Sequence, residues 1–203
     1  MKTLLVATTN SGKIKEIQSH LKSRFTLLTP RDEKFGSLCV PKVVEDGKSY
    51  FENSLKKALQ FYEVYRTPVL ADDSGLEVDA LAGKPGVESA RLGGENLSWA
   101  ERWGVLHKLL LPFPPSDWTG RFRSVLCYYD GARVPFFFQG TTEGRVVPSP
   151  RGDGGFGYDP IFYSIPLHKT FGEALKEEKA KVSHRIKALD DFLAWSRLDH
   201  PLP

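Results

Sequence analysis

The 203-residue sequence has little cysteine, no long apolar run and almost no net charge. Its two cysteines, Cys39 and Cys127, lie far apart and form no C-x-x-C pair, the pattern of a reduced, intracellular protein. A chain of this length buries roughly 70% of its unfolded surface, so it needs neither disulfides nor a structural metal to fold. No stretch approaches the roughly 20 apolar residues of a membrane span. The opening MKTLLVATTN has an apolar core only from Leu4 to Ala7 and no small-residue cleavage site after it, so it does not read as a signal peptide. A net charge of +3 without a clustered basic stripe gives no case for nucleic-acid binding. Internal repeats and low-complexity segments are absent, and the histidines at 20, 107, 168, 184 and 200 show no metal-ligand spacing.

What is present is a mixture of short strands and capped helices. Residues 3–9 form an apolar run that reads as a buried strand. A helix follows, with Ile14, Ile17 and Leu21 on one side and Lys15, Glu16, Ser19 and Lys22 on the other. Residues 25–28 read as a second strand. Residues 30–48, with Pro30, Gly36, Pro41 and Gly47, read as irregular. Ser49/Glu52 and Ser98/Glu101 have capping-box spacing. The first opens a helix with the stripe Phe51, Leu55, Ala58 and Tyr62. The second opens one with Trp99, Trp103, Leu106 and Leu110, ended by Pro112. PVLADDSGLEVDAL reads as a strand entering a tight turn at Ser74-Gly75. Residues 120–147 are strand-rich, with a turn at Asp130-Gly131. The last helix is expected from near Lys179, with Val182, Ile186, Leu189 and Leu193 on one face. The sum is one α/β domain over residues 1–203 with a mixed sheet. PFPPSD would be a loop between two lobes, and the tail 196–203 would fray.

Three places carry chemistry. The loop ATTNSGK lies where a strand exits and a helix begins, a natural anion site. Thr8, Thr9, Asn10 and Ser11 add donors, and Gly12 lets the backbone come close. Lys13 opposes the helix dipole unless a phosphate shares the site. Ala7 stands where a Walker A loop has its first glycine, so this is not that motif. The alternative is a helix capped by Ser11 with a solvated Lys13. Next, Asp72 and Asp73 adjoin at a strand end, where neighbours face opposite ways, so one can enter a site while the other makes turn bonds. Hard carboxylate oxygens suit Mg²⁺. Glu45 precedes the helix on which Asn53 and Lys57 share a face at i, i+4. The alternative here is a pair of turn-forming acids.

The third place is RGDGGFGYDP, which contains the spacing G-x-G-x-x-G at Gly152, Gly154 and Gly157. A dinucleotide loop needs a strand before it and a helix after it. PSPR precedes it and Pro160 follows, so that reading fails. What remains is an ordered loop presenting Phe156, Tyr158 and Asp159. It either stacks a planar base or plugs a core with its two aromatic rings. EEKAKVSHRIKAL then brings Lys179, Ser183, His184 and Arg185 to the start of the final helix. They are donors for a base carbonyl or, alternatively, a basic solvated face.

In order, ATTNSGK, ADDSG, PGVESAR, GGFGYDP and EEKAKVSHR resemble the inosine/xanthosine triphosphatase family over residues 3–192. The resemblance implies a homodimeric, cytoplasmic, Mg²⁺-dependent enzyme with a long mixed sheet flanked by helices, and two lobes with the active site in the cleft between them. Its reaction is NTP + H₂O → NMP + diphosphate on ITP, dITP and XTP, which clears deaminated purine nucleotides. It also implies no nucleic-acid or membrane partner. Carried over by motif, Thr8, Thr9, Asn10, Ser11, Gly12, Lys13 and Lys57 hold the triphosphate. Asp73 is catalytic and binds metal together with Glu45. Many members carry two acids in a row at that point, where this chain has Val44 before Glu45. Ser74, Phe156, Gly157, Tyr158, Asp159, Lys179, His184 and Arg185 contact base and sugar. Donors aimed at a 6-keto group would reject adenine. A sensor that binds nucleotide without turnover would use the same pocket, but Asp73, Glu45 and Lys13 argue against it.

Overall fold

The computed structural model describes residues 2–36, 38–131 and 134–198. The first strand, β1 (Lys2–Val6), is buried from Leu4 on, as expected of an apolar run covered on both faces. It leads to helix α1 (Ser11–Leu21), which buries Ile17 and Leu21, and then to β2 (Phe25–Leu28). The chain continues through α2 (Tyr50–Tyr65), β3 (Val69–Val78), α3 (Trp99–Leu110), β4 (Thr119–Tyr129) and β5 (Phe136–Val146). It finishes with β6 (Phe162–Ser164), β7 (Lys169–Thr170), α4 (Lys176–Val182) and α5 (His184–Ser196). The strands form one seven-stranded sheet in the order β2-β1-β3-β4-β5-β6-β7. β1 runs parallel to β2 and β3, whereas β6 runs antiparallel to β5 and β7. This is the α/β architecture expected, a mixed sheet flanked by helices.

The chain divides into two compact units, each assembled from separate stretches. The first takes the residues up to Asp73, Ser124–Gly140 and those from Arg185 on. The second takes Ser74–Arg123 and Thr141–His184. Leu5, Ala58, Phe61, Tyr65, Val69, Ala71 and Cys127 form the core of the first. Leu76, Leu106, Leu110, Phe122, Phe162 and Phe171 form that of the second. The unit boundaries fall inside β3, β4 and β5 and at the start of α5, so PFPPSD is not a boundary; it lies wholly within the second unit. A strand that crosses from one unit to the next in mid-run needs no break in its pattern at the crossing.

Three local expectations change. β3 does not turn at Ser74-Gly75 but runs straight on to Val78. Gly75 takes no left-handed φ, and the Leu76 N–H is held by Ser89 Oγ at 2.9 Å. On α2, Phe51 is exposed, and the buried side carries Asn53, Ser54 and Lys57 beside Ala58 and Phe61. Of the apolar stripe, Ala58 lies in the core with Leu55 and Tyr62 packed against it, and only Phe51 falls outside. The final helix is two helices, with Ser183 in extended backbone (ψ 133°) between them. Of the tail, Ser196 still belongs to α5, and residues 199–203 lie outside those described. Both capping residues, Ser49 and Ser98, accept from the N–H three residues on. Only Glu101 returns the bond to its own cap, since Glu52 reaches the Lys48 N–H instead.

Candidate functional site

In the first unit the ATTNSGK loop joins β1 to α1, and Asn10 is the cap of the helix rather than Ser11. Its Oδ1 accepts the N–H groups of Gly12 at 2.9 Å and Lys13 at 3.1 Å. Thr8 Oγ1 in turn accepts the Asn10 N–H at 3.1 Å. Thr9, Asn10 and Ser11 are exposed, while Thr8, Gly12 and Lys13 are half-buried. Lys13 is not a solvated cation: its Nζ lies 2.9 Å from Asp72 Oδ2. Burial lowers its pKa, and repulsion from Lys57 and Arg185 adds to that against the pull of Asp72.

Asp72 and Asp73 are successive residues of a strand and so point to opposite faces. Asp72 is only 2% exposed. Its Oδ1 accepts from Ser124 Oγ at 2.6 Å, and its Oδ2 from Arg185 Nε at 3.1 Å. Arg185 also donates from Nη1 to Glu16. Burial alone would raise the Asp72 pKa, but Arg185 and Lys13 reverse this and hold the carboxyl well below the usual carboxylate range.

Asp73 belongs to a different set. Lys57 Nζ donates to its Oδ1 at 2.9 Å, and Asn53 Nδ2 to its Oδ2 at 3.2 Å. The same Nζ is 2.8 Å from Glu45 Oε2 and 3.1 Å from the Asp72 carbonyl. Asn53 Oδ1 accepts the Gly47 N–H at 2.8 Å, which ties down the segment carrying Glu45. Burial pushes the Asp73 carboxyl upward; Lys57 and Lys13 resist, and Glu45 adds to the rise. Burial acts the same way on Glu45, but there Lys57 wins and the pKa falls. Among the described residues, no group of three or more His, Cys, Asp or Glu side chains is arranged to hold a metal. Mg²⁺ asks less of a protein, one or two carboxylates with the remaining ligands from water and phosphate. Glu45 and Asp73 share a single ammonium, so this pair of hard oxygen donors fits a second cation.

The second unit carries the other group. The glycine stretch ends in a short 3₁₀ turn, Asp159–Ile161, and then β6, with no helix of the dinucleotide type. Asp159 Oδ2 accepts the Phe156 N–H at 2.8 Å and the Lys179 ammonium at 2.6 Å. Lys179 Nζ lies 4.8 Å from the centre of the Phe156 ring and 5.3 Å from that of Phe171. Gly155 has φ 73°, and a Cβ there would collide with the Asp159 carboxylate, so this position must be glycine. The two aromatic rings of the loop part company. Phe156 is half-buried, whereas Tyr158 is core, its O–H donating to the Ser89 carbonyl at 2.9 Å. Burial raises the Tyr158 phenol, which stays protonated.

Lys179, His184 and Arg185 are all buried, which rules out a solvated basic face. The break at Ser183 separates them. Lys179 stands in α4 against Asp159, and the His184 ring stacks on Phe122 at 4.9 Å and 14°. Arg185 belongs to the Asp72 group of the first unit. Ser74 lies within β3, half-buried. Sequence reasoning missed Ser124 and Glu16. The signal for Ser124 was a lone hydroxyl in the apolar strand RSVLC. Glu16 gave none, since it sits on the polar side of an ordinary amphipathic helix.

The fold and the two groups define an α/β protein that pairs a buried acid–lysine cluster with an aromatic glycine loop. The chain belongs to the Ham1 family, whose model matches residues 4–195. It is 44% identical over 203 residues to the dITP/XTP pyrophosphatase of Geobacter sulfurreducens, covering 98% of this chain and all of that one. A dITP/XTP pyrophosphatase of Thermus thermophilus is also 44% identical, over 193 residues, covering 94% of this chain and 89% of its own. Among solved structures, a HAM1 protein from Coxiella burnetii superposes with a TM-score of 0.85 at 33% identity, over 98% of this chain and all of that one.

Proposed function

We propose that this protein is a nucleoside-triphosphate pyrophosphatase that hydrolyses ITP, dITP and XTP to the monophosphate and diphosphate, and so removes deaminated purine nucleotides from the precursor pool. The observation that carries the proposal is the Lys57–Asp73–Glu45 set, a buried and a half-buried carboxylate sharing one ammonium in the same unit as the phosphate-type loop of α1. The names of its relatives and the order of its motifs support the same activity. Glu45 and Asp73 would hold Mg²⁺, which when bound supplies charge neutralisation at the phosphate oxygens. The N-terminal donors of α1, with Thr8, Thr9, Asn10, Ser11 and Lys13, take the triphosphate. Lys57 adds positive charge on the Asp73 side. Asp73 orients the attacking water and accepts its proton on a carboxylate oxygen, a role suited to an upward-shifted carboxyl. The water oxygen bonds to the α-phosphorus as the bond from that phosphorus to the oxygen bridging to the β-phosphate breaks, and diphosphate leaves.

At the other end of the substrate, Phe156 stacks on the purine, with Gly157, Tyr158 and Ser74 shaping the contact to base and sugar. Lys179 and His184 donate to the 6-keto edge, which adenine cannot match. Arg185, which donates to Asp72 and Glu16, is in this reading a further donor to the same edge. A cytoplasmic homodimer completes the proposal. Among the described residues, no helix is long and apolar enough to cross a membrane. The test is purified protein with Mg²⁺ and ITP, XTP, dITP, GTP or ATP, assayed for the product released. Diphosphate from the inosine and xanthosine nucleotides is expected. Orthophosphate as the main product, or equal rates on ATP and ITP, would sink the proposal.

A further inference from the structure

Trp99 and Trp103 lie one turn apart on α3 and so share a face. That face meets the Phe156 loop. The Trp103 Nε1–H donates to the Gly157 carbonyl at 3.0 Å, and the Trp99 ring meets Tyr158 edge-on at 5.3 Å and 71°. Gly157 has φ 66°, a left-handed conformation that brings the Trp99 ring close to where a side chain would begin. The Tyr158 O–H is tied in turn to the carbonyl of Ser89, whose own hydroxyl holds the Leu76 N–H of β3 and donates to the Gly86 carbonyl. The PGVESAR segment therefore has a task, to brace the back of the loop. On the loop itself, Asp159 Oδ2 holds the Phe156 N–H, and Phe156 O accepts the Asp159 N–H at 3.2 Å. Phe156, half-buried, is thus held in a closed turn, and the residue after it is pinned through its carbonyl.

From this geometry we infer that Trp103 is a positioning residue for base binding, setting where the Phe156 ring stands through the Gly157 carbonyl. The inference rests on Phe156 being the stacking surface for the purine. Trp103→Phe keeps an aromatic ring against the core while removing the N–H donor, with some ring volume. Loss of one hydrogen bond of this kind corresponds to roughly a fivefold rise in KM for ITP, with kcat close to unchanged. Inorganic tripolyphosphate, which has no base, separates positioning from general damage: its inhibition constant against ITP hydrolysis should not move. In a Phe156→Ala background, Trp103→Phe should add little further, because both act on one contact.

Each outcome decides. If KM for ITP rises in Trp103→Phe, tripolyphosphate inhibition holds and the double variant is non-additive, the inference stands. If KM is unchanged, if tripolyphosphate weakens equally, or if the two substitutions add in full, Trp103 is only a core residue and the inference falls. If Phe156→Ala itself leaves KM for ITP unchanged, the stacking role fails, and this failure is visible separately. Should Trp103→Phe not fold, Trp103→Leu with the same three measurements takes its place.

Discussion

The Asp72–Asp73 group and the Phe156 loop both bury polar chemistry, but they hold it by opposite means. In the first unit, charges hold charges. Asp72 is fixed by Lys13, Arg185 and Ser124, and Asp73 by Lys57 and Asn53. In the second unit the Lys179–Asp159 ion pair works within a frame of backbone bonds and aromatic contacts. Charges removed from water cost several kcal/mol each unless they are paired, so the first group is an all-or-none network. An aromatic loop can lose one contact and keep the rest. The two regions should therefore fail differently when damaged, one through stability and turnover, the other through affinity.

The strongest way to break this contrast is Asp73→Asn. It keeps the shape and the Asn53 and Lys57 neighbours but removes the base, and a fall in kcat of about 10²–10⁴-fold is expected. Turnover near that of the parent protein would move catalysis away from the first unit. Next is Asp72→Ala, which leaves Lys13 and Arg185 facing each other without the carboxylate between them. Denaturant unfolding should show a loss of about 3–5 kcal/mol. The sign with pH follows from the depressed Asp72 pKa. Its stabilisation is fully present above the ordinary aspartate pKa near 4 and is lost as pH falls below that value toward the folded one. The acid limb of the stability curve should therefore flatten in the variant, and an unchanged limb would show that Asp72 is not the hub. Smaller effects belong to the second unit. Phe156→Ala should raise KM for ITP by about 5- to 150-fold, the worth of one stacked base, with little change in melting temperature. Tyr158→Phe should do the reverse, costing about 1 kcal/mol of stability and raising KM less than Phe156→Ala does. If the two swapped behaviour, the division between outward ring and core ring would be wrong.

What could be read from the sequence was what is local. ATTNSGK showed itself as a strand-to-helix loop because both flanks lie within ten residues. The failure of the dinucleotide pattern was visible in the prolines on either side of it. The partners of the charges were not visible. Arg185 meets Asp72 113 residues away and Glu16 169 residues away, and no spacing rule reaches that far. The break at Ser183 was hidden because serine is not a helix breaker. It decides that Lys179 and Arg185, six residues apart, serve different groups. On α2, Asn53 and Lys57 are buried beside the apolar stripe, where the apolar pattern asks for leucine or alanine, so the buried face is wider than the stripe and leaves Phe51 outside it. Sequence rules break locally where a site needs polar groups inside.

The cap of α1 has one more consequence. Two N–H donors converge on Asn10 Oδ1, so the orientation of that amide is not a matter of choice: the oxygen is turned toward the helix and the nitrogen away from it. Asparagine and aspartate cap helices about equally well. Asn10→Asp would then leave the helix as it is and exchange one outward NH₂ for a negatively charged oxygen at the place proposed for phosphate. A single atom thus separates what this residue does for folding from what it is proposed to do for the substrate.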